Sequence, residues 1–152
     1  MRTHDAHVIH WMATQVHGAI MQYLHPAYRD RMNCTVRALR DALGLHLIDA
    51  YVLMREQGRV HGRGVYPGLT TRYYKDIAER RGFSYSQLSF LEAQRDYGKT
   101  IKTAQRRLCS HERVVFGVSG HVIGFSNQAT SDWANNRRHH VQSAHVFKQR
   151  AA

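Results

Sequence analysis

Three residue types in this chain could together perform nucleophilic chemistry: Cys34, His121 and Asp132. Cys34 opens the stretch Asn33 to Gly44, which reads as a capped helix. Asn33 is a good N-cap, because its side-chain oxygen can accept an orphan backbone N–H. Gly44 suits the position just past the helix end, where left-handed backbone angles are needed. Val36, Leu39 and Leu43 mark an apolar stripe at helical spacing between them. A thiol in the first turn sits at the positive end of the helix dipole, which favours thiolate over thiol. The competing reading is that Cys34 is a small core residue, because free cysteine is among the most buried types.

A thiolate nucleophile needs a base, and the base needs an orienting partner. Of the twelve histidines, His121 is the best placed. It opens a strand directly after the turn Ser119-Gly120, at a sheet edge where a ring can point into a cleft. With Ser126-Asn127 as a two-residue hairpin loop, Phe125 pairs with Gln128 and His121 pairs with Asp132. Directly opposed residues have Cβ atoms about 4.5–5.5 Å apart, which puts Asp132 in reach of the imidazole. A one-residue slip of the turn would send Asp132 to the other face.

Other groupings are weaker. Cys109-x-His111 follows a helix C-terminus, where the dipole opposes a thiolate, so packing is the reading for Cys109. His4, His7 and His10 lie three apart, and His139, His140 and His145 cluster late in the chain. Neither set has the spacing and fourth ligand of a zinc site, so no metal and no cofactor are expected. Gly62-x-Gly64-x-x-x-Gly68 has the wrong spacing for a dinucleotide fingerprint and follows a helix instead of a strand. It reads as a mobile glycine-rich loop beside the site or a partner. Trp11, Trp133 and the tyrosines could stack on bases, but core burial explains them better.

The elements that must position these residues follow from hydrophobic period. Residues 5–24 read as an amphipathic helix, with Ile9, Met12, Val16 and Ile20 at spacings of three and four and Pro26 as the stop. Helices are expected over 47–57, 69–81 and 100–108, and a short strand over 83–87. The stretch 88–97 is ambiguous between helix and strand. Arg113 to Val118 is a continuous apolar strand, expected to be central, followed by a strand from His121 to Phe125 and a last one over 141–147. Helices first and strands last make an α+β arrangement. The expected organisation is an N-terminal helix over 1–27, one domain over 28–148 and a tail over 149–152.

Length and charge bound the rest. The 152 residues, 43% of them hydrophobic, suffice for one domain with a real core. No run approaches the roughly 18 apolar residues that span a membrane, and no signal peptide is expected. Two cysteines alone argue against a disulfide scaffold and for a reducing cytosol. A net charge of +11 attracts nucleic acid or acidic proteins. The arginines are scattered, however, and no basic block stands out.

Asp30-x-x-Asn33-Cys34-Thr35-Val36-Arg37-Ala38-Leu39, Gly62-Arg63-Gly64, Val118-Ser119-Gly120-His121-Val122 and Asp132-Trp133 occur in that order. In this the chain resembles the small papain-like cysteine-hydrolase-fold proteins of tailed bacteriophages, over about residues 28–148. The order Cys, His, Asp or Asn, with a Trp after the last, is also that of papain-like peptidases. The resemblance implies a papain-like α+β fold, with the cysteine helix packed on an antiparallel sheet that carries the histidine. It also implies Cys34 as nucleophile, His121 as general base and acid, and Asp132 as the orienting carboxylate. The expected function is that of a phage-encoded cysteine hydrolase, a peptidase or amidase, working in the bacterial host cytoplasm.

The chain departs from the family in two ways. The N-terminal helix is extra, and offers a partner or homodimer interface. The papain-type oxyanion glutamine has no match in residues 25–33. One oxyanion donor would be the Cys34 backbone N–H, and Asn33 or Tyr28 is the candidate for the second. Partners are expected to be acidic host or phage proteins. The alternatives are a non-catalytic protein that binds and inhibits a host factor, and a basic nucleic-acid-binding protein.

Overall fold

A computed structural model describes residues 32–132 and 138–151 of the chain. The expected N-terminal helix, with its three histidines and its proposed dimer face, lies outside the described residues, as do Tyr28, Asp30 and Trp133. The elements run α1 (Cys34–Leu43), α2 (Leu47–Gln57), α3 (Pro67–Arg80), β1 (Phe83–Leu88), α4 (Phe90–Tyr97), α5 (Ile101–Arg107), β2 (Arg113–Val118), β3 (His121–Ser126) and β4 (Ser143–Gln149). Among the described residues this is an α+β fold: five helices packed on one open, four-stranded antiparallel sheet in the order β1-β4-β2-β3.

Helices cover both faces of the sheet. On one face α1, α2 and α3 share a core that takes in Val115 and Phe147. On the other, α4 and α5 bury Ala93, Tyr97, Ile101 and Ala104 against Val114, Phe116, Ile123, Phe125 and Val146. Successive strand residues point to opposite faces. A strand covered on both sides must therefore be apolar throughout, which is why Val114 to Val118 read as an unbroken hydrophobic run. β2 is an interior strand, hydrogen-bonded to β3 on one side and β4 on the other.

Most helix boundaries have local causes. Gly44 ends α1 at φ 66°, and Leu45 closes the turn by donating its N–H to the Arg40 carbonyl. Pro67 stands at the start of α3, where its missing N–H costs nothing, so the helix begins two residues before Leu69. The ambiguous 88–97 stretch contains helix α4, opened by a capping box in which Ser89 and Glu92 satisfy each other's backbone N–H groups. The last strand runs over Ser143–Gln149, two residues later than the expected 141–147.

Two expectations are corrected. The Asn33 side chain makes no capping hydrogen bond; the backbone there, at φ −111° and ψ 23°, has already turned from the extended angles a side-chain cap requires. The hairpin turn after β3 also falls one residue later than Ser126-Asn127. Asn127 and Gln128 carry the left-handed angles, φ 51° and 60°, between bridged Ser126 and Ala129. Asn tolerates such angles but Gln does not favour them. Gln128 is held there by its amide, which donates to the Leu108 carbonyl, and by Gln105, whose amide donates to the Gln128 carbonyl.

α1 packs closely across β3. Gly124 lies so close to the helix backbone that a Cβ there would overlap the Ala38 carbonyl oxygen and come within 2.9 Å of the Ala38 Cα. Because the obstacle is backbone, it cannot swing aside. Gly124→Ala is therefore expected to destabilise the protein by about 3 kcal/mol or more, the upper range for overpacking, measured as a lowered urea midpoint in equilibrium unfolding.

His145 in β4 is buried among Tyr74, Tyr85 and Phe147, and burial holds its imidazole down at about 4. A histidine that ionises near 6.5 when unfolded but near 4 when folded favours the folded state above pH 6.5. That contribution, about 3 kcal/mol when complete, is lost as pH falls from 6.5 to 4. Urea unfolding at pH 7 and pH 4.5 should show a shallower acid loss for His145→Gln than for the wild type, by up to one proton per pH unit.

Candidate active site

α1 points its N-terminus at the start of β3, and this brings Cys34 against His121. The His121 ring hydrogen-bonds the Cys34 sulfur, and the backbone N–H groups of Thr35 and Val122 also reach that sulfur. On its other side, His121 Nε2 lies 2.5 Å from Asp132 Oδ2. With Nε2 engaged by the carboxylate, Nδ1 is the nitrogen left for the thiol. The three residues singled out from the sequence thus stand in a row, sulfur to imidazole to carboxylate.

The electrostatics of the row are those of an ion pair. Burial pushes the Cys34 thiol up, but the hydrogen bond and positive charge of His121, with the two N–H groups, outweigh it and leave the thiol below its ordinary value. His121 is raised to about 9, first by its hydrogen bond to Cys34 and, against partial burial, by Asp132. Between the lowered thiol and pH 9 the favoured state is thiolate and imidazolium.

Asp132 does not reach His121 by strand pairing. The hairpin continues past its turn only as the single bridge Ser126–Ala129, and Asp132 belongs to the loop that follows. The loop is fastened to α1. Asp41 Oδ2 accepts from the Ser131 N–H at 3.1 Å, the Ser131 hydroxyl at 2.8 Å and the Thr130 hydroxyl at 3.4 Å. Thr130 Oγ1 in turn accepts the Asp132 N–H at 3.1 Å. Arg40 holds the other Asp41 oxygen at 3.2 Å and donates to the Ser131 hydroxyl. Asp41 and Thr130 are the positioning residues that the sequence reading missed. Nothing local marks this role of Asp41, because its loop partners lie 89 and 90 residues away.

The approach to Cys34 is also tied down. Arg59, 5% exposed, donates to the Met32 carbonyl at 3.0 Å and stacks over the Tyr51 ring. The glycine-rich segment brings Gly64 and Val65 beside Cys34. Two cavities flank the sulfur. One, of about 320 Å³, is lined by Asn33, Arg37, Asp41, Ser131 and Asp132 among others. The second, of about 410 Å³, opens toward β4.

Of the proposed oxyanion donors, Asn33 is buried at 7% exposure and lines the first cavity beside Cys34, whereas Tyr28 lies outside the described residues. Cys109 is exposed and far from this site in the chain, and Glu112, which hydrogen-bonds it, pushes its thiol up. Among the described residues no group of three His, Cys, Asp or Glu side chains could hold a metal ion, and His145 is instead built into the core. No helix among the described residues is long and apolar enough to cross a membrane. The chain matches no family model, no curated protein and no solved structure.

If Asp41 sets the loop that orients His121, removing its carboxylate should misplace the base and spare Cys109. Asp41→Ala is expected to slow iodoacetamide alkylation of Cys34 at pH 6.5 by about ten-fold, with Cys109 alkylation unchanged, both read by peptide mass spectrometry.

Proposed function

We propose that the protein is a cysteine hydrolase that cleaves an amide bond through a covalent acyl-enzyme. The observation that carries this reading is the row of Cys34, His121 and Asp132, with the thiol lowered and the imidazole raised. A buried cysteine of purely structural use has no need of a raised histidine fixed by a carboxylate.

The Cys34 thiolate attacks the carbonyl carbon and the C–S bond forms. The oxygen takes the negative charge, held by the Cys34 backbone N–H and the Asn33 amide. His121 passes its proton to the leaving nitrogen as the C–N bond breaks, which leaves a thioester. A water then gives a proton to the neutral imidazole and adds to the thioester. The C–S bond breaks, the acid product leaves, and the thiolate–imidazolium pair is restored. Asp132 keeps Nδ1 of His121 aimed at the sulfur throughout.

We take the architecture to be papain-like and of the phage type. The support is the cysteine helix lying across an antiparallel sheet, the histidine at the head of a strand, and the chain order Cys, His, Asp. A phage hydrolase of this kind would work in the cytoplasm of the bacterial host. The +11 charge favours an acidic protein substrate, or one bound to nucleic acid.

The test is chemical. At pH 6.5 iodoacetamide should alkylate Cys34 at least about ten-fold faster than Cys109. The Cys34 rate should stay nearly level with pH and change slope near 9, where His121 loses its proton. His121→Ala should abolish the advantage. Equal rates at the two cysteines would sink the hydrolase reading.

A further inference from the structure

The cavity on the β4 side of Cys34 differs in kind from its neighbour. The first cavity is lined by Arg37, Asp41 and Asp132. The second has no Asp, Glu, Lys or Arg in its wall among the described residues. Apart from Cys34 and His121 themselves, its polar groups are uncharged: Thr35, Thr70, Gln87, Gln142, Ser143 and His145. In a chain of net charge +11 this wall, beyond the catalytic ion pair, is neutral and set directly beside the nucleophile.

Two of those groups are set up to meet a ligand. Thr35 is 4% exposed, and among the described residues its hydroxyl oxygen has no hydrogen-bond partner. A buried hydroxyl left unpaired is costly, and a substrate atom that pairs with it removes that cost. His145 is the other. The Tyr85 hydroxyl lies 2.6 Å from His145 Nδ1. Burial raises Tyr85 to about 12, so it is a phenol at neutral pH, and it lowers His145, so the ring is uncharged. With the phenol O–H as donor to Nδ1, the ring hydrogen sits on Nε2. In that tautomer His145 gives the cavity wall an N–H donor, and the ring stays uncharged across the physiological range.

We propose that this cavity is the specificity pocket of the hydrolase and takes an uncharged carboxamide side chain, that of glutamine or asparagine. The amide oxygen accepts from His145 Nε2–H, and the amide NH₂ donates to Thr35 Oγ1 and the pocket glutamines. Thr35 Oγ1 can pair with a carboxylate as well as with an amide, but the wall offers a buried carboxylate no Lys or Arg, and an alkyl chain leaves both sites unpaired. Discrimination of this sort is strong because the rejected side chain strands buried polar groups. The proposal rests on the hydrolase reading above.

The test uses N-acetyl dipeptidyl chloromethyl ketones. Gln, Glu or norleucine occupies either the residue bearing the electrophilic carbon or the one before it, with alanine in the other place. Inactivation of the wild-type chain, followed by intact mass, should be at least about ten-fold faster with Gln than with Glu or norleucine at one of the two positions. Tyr85→Phe, a conservative change on an edge strand, should shrink that ratio by releasing the tautomer. Equal rates for the three probes, or preference for Glu or norleucine, overturn the pocket assignment. Iodoacetamide on the same wild-type sample separates the two failures. Fast, selective Cys34 alkylation with no probe preference rejects the pocket alone; alkylation no faster than at Cys109 rejects the hydrolase reading and the pocket with it.

Discussion

The structure depends on one close crossing, the backbone of α1 laid against the backbone of β3 at Ala38 and Gly124. Helices normally keep about 10 Å from a sheet, because side chains fill the space between them. Here a glycine on the strand meets an alanine on the helix, and the layer between them all but vanishes. Cys34 is one helical turn before Ala38, and His121 is three residues before Gly124, so contact in the middle brings the two ends together. With a larger residue at either place the thiol would be lifted off the imidazole. The ion pair follows from that approach, since the hydrogen bond and charge of His121, together with the Thr35 and Val122 N–H groups, overcome the burial cost of the thiolate.

The orienting carboxylate uses the same reference. Asp41 lies on α1, two turns beyond Cys34, and its oxygens hold the loop that carries Asp132. Nucleophile and carboxylate are therefore both indexed to one helix, while the base sits on the strand crossed by that helix. Loop residues are usually the least certain part of a site. This loop is tied at both ends of its short span, by the Gln128 amide to Leu108 and by Ser131 to Asp41. Asp132 thereby keeps its distance from His121 without belonging to a strand.

Much of this could be read in the chain beforehand, where the cause was local. The periodicity of Leu47 to Gln57 and the run from Arg113 to Val118 give the observed elements, because each is specified by neighbours in sequence. Ser89-x-x-Glu92 carried the signature of helix α4, although the apolar residues after it, Phe90 and Leu91, stay exposed and blurred the pattern. The hairpin turn was misplaced because Gln128 is kept at left-handed angles by contacts 20 and 23 residues away. Asp132 was chosen on an assumed strand register, yet it meets His121 through a hydrogen-bonded loop. The close approach at Gly124 and the fastening by Asp41 were illegible for a common reason: each joins residues more than 80 positions apart. Single-sequence patterns carry no information about such pairs.

The crossing of α1 and β3 also leaves a trace in the sequence. Any chain that builds this site in the same way must keep a small residue four places after its cysteine and a glycine three places after its histidine. Cys-x-x-x-Ala and His-x-x-Gly are thus one constraint written in two distant parts of the chain. Because the obstacle is helix backbone, no side chain at the alanine position can make room for a Cβ on the strand, so the glycine should not vary. Such a paired spacing can recognise a distant relative even where the overall sequence has diverged too far to align.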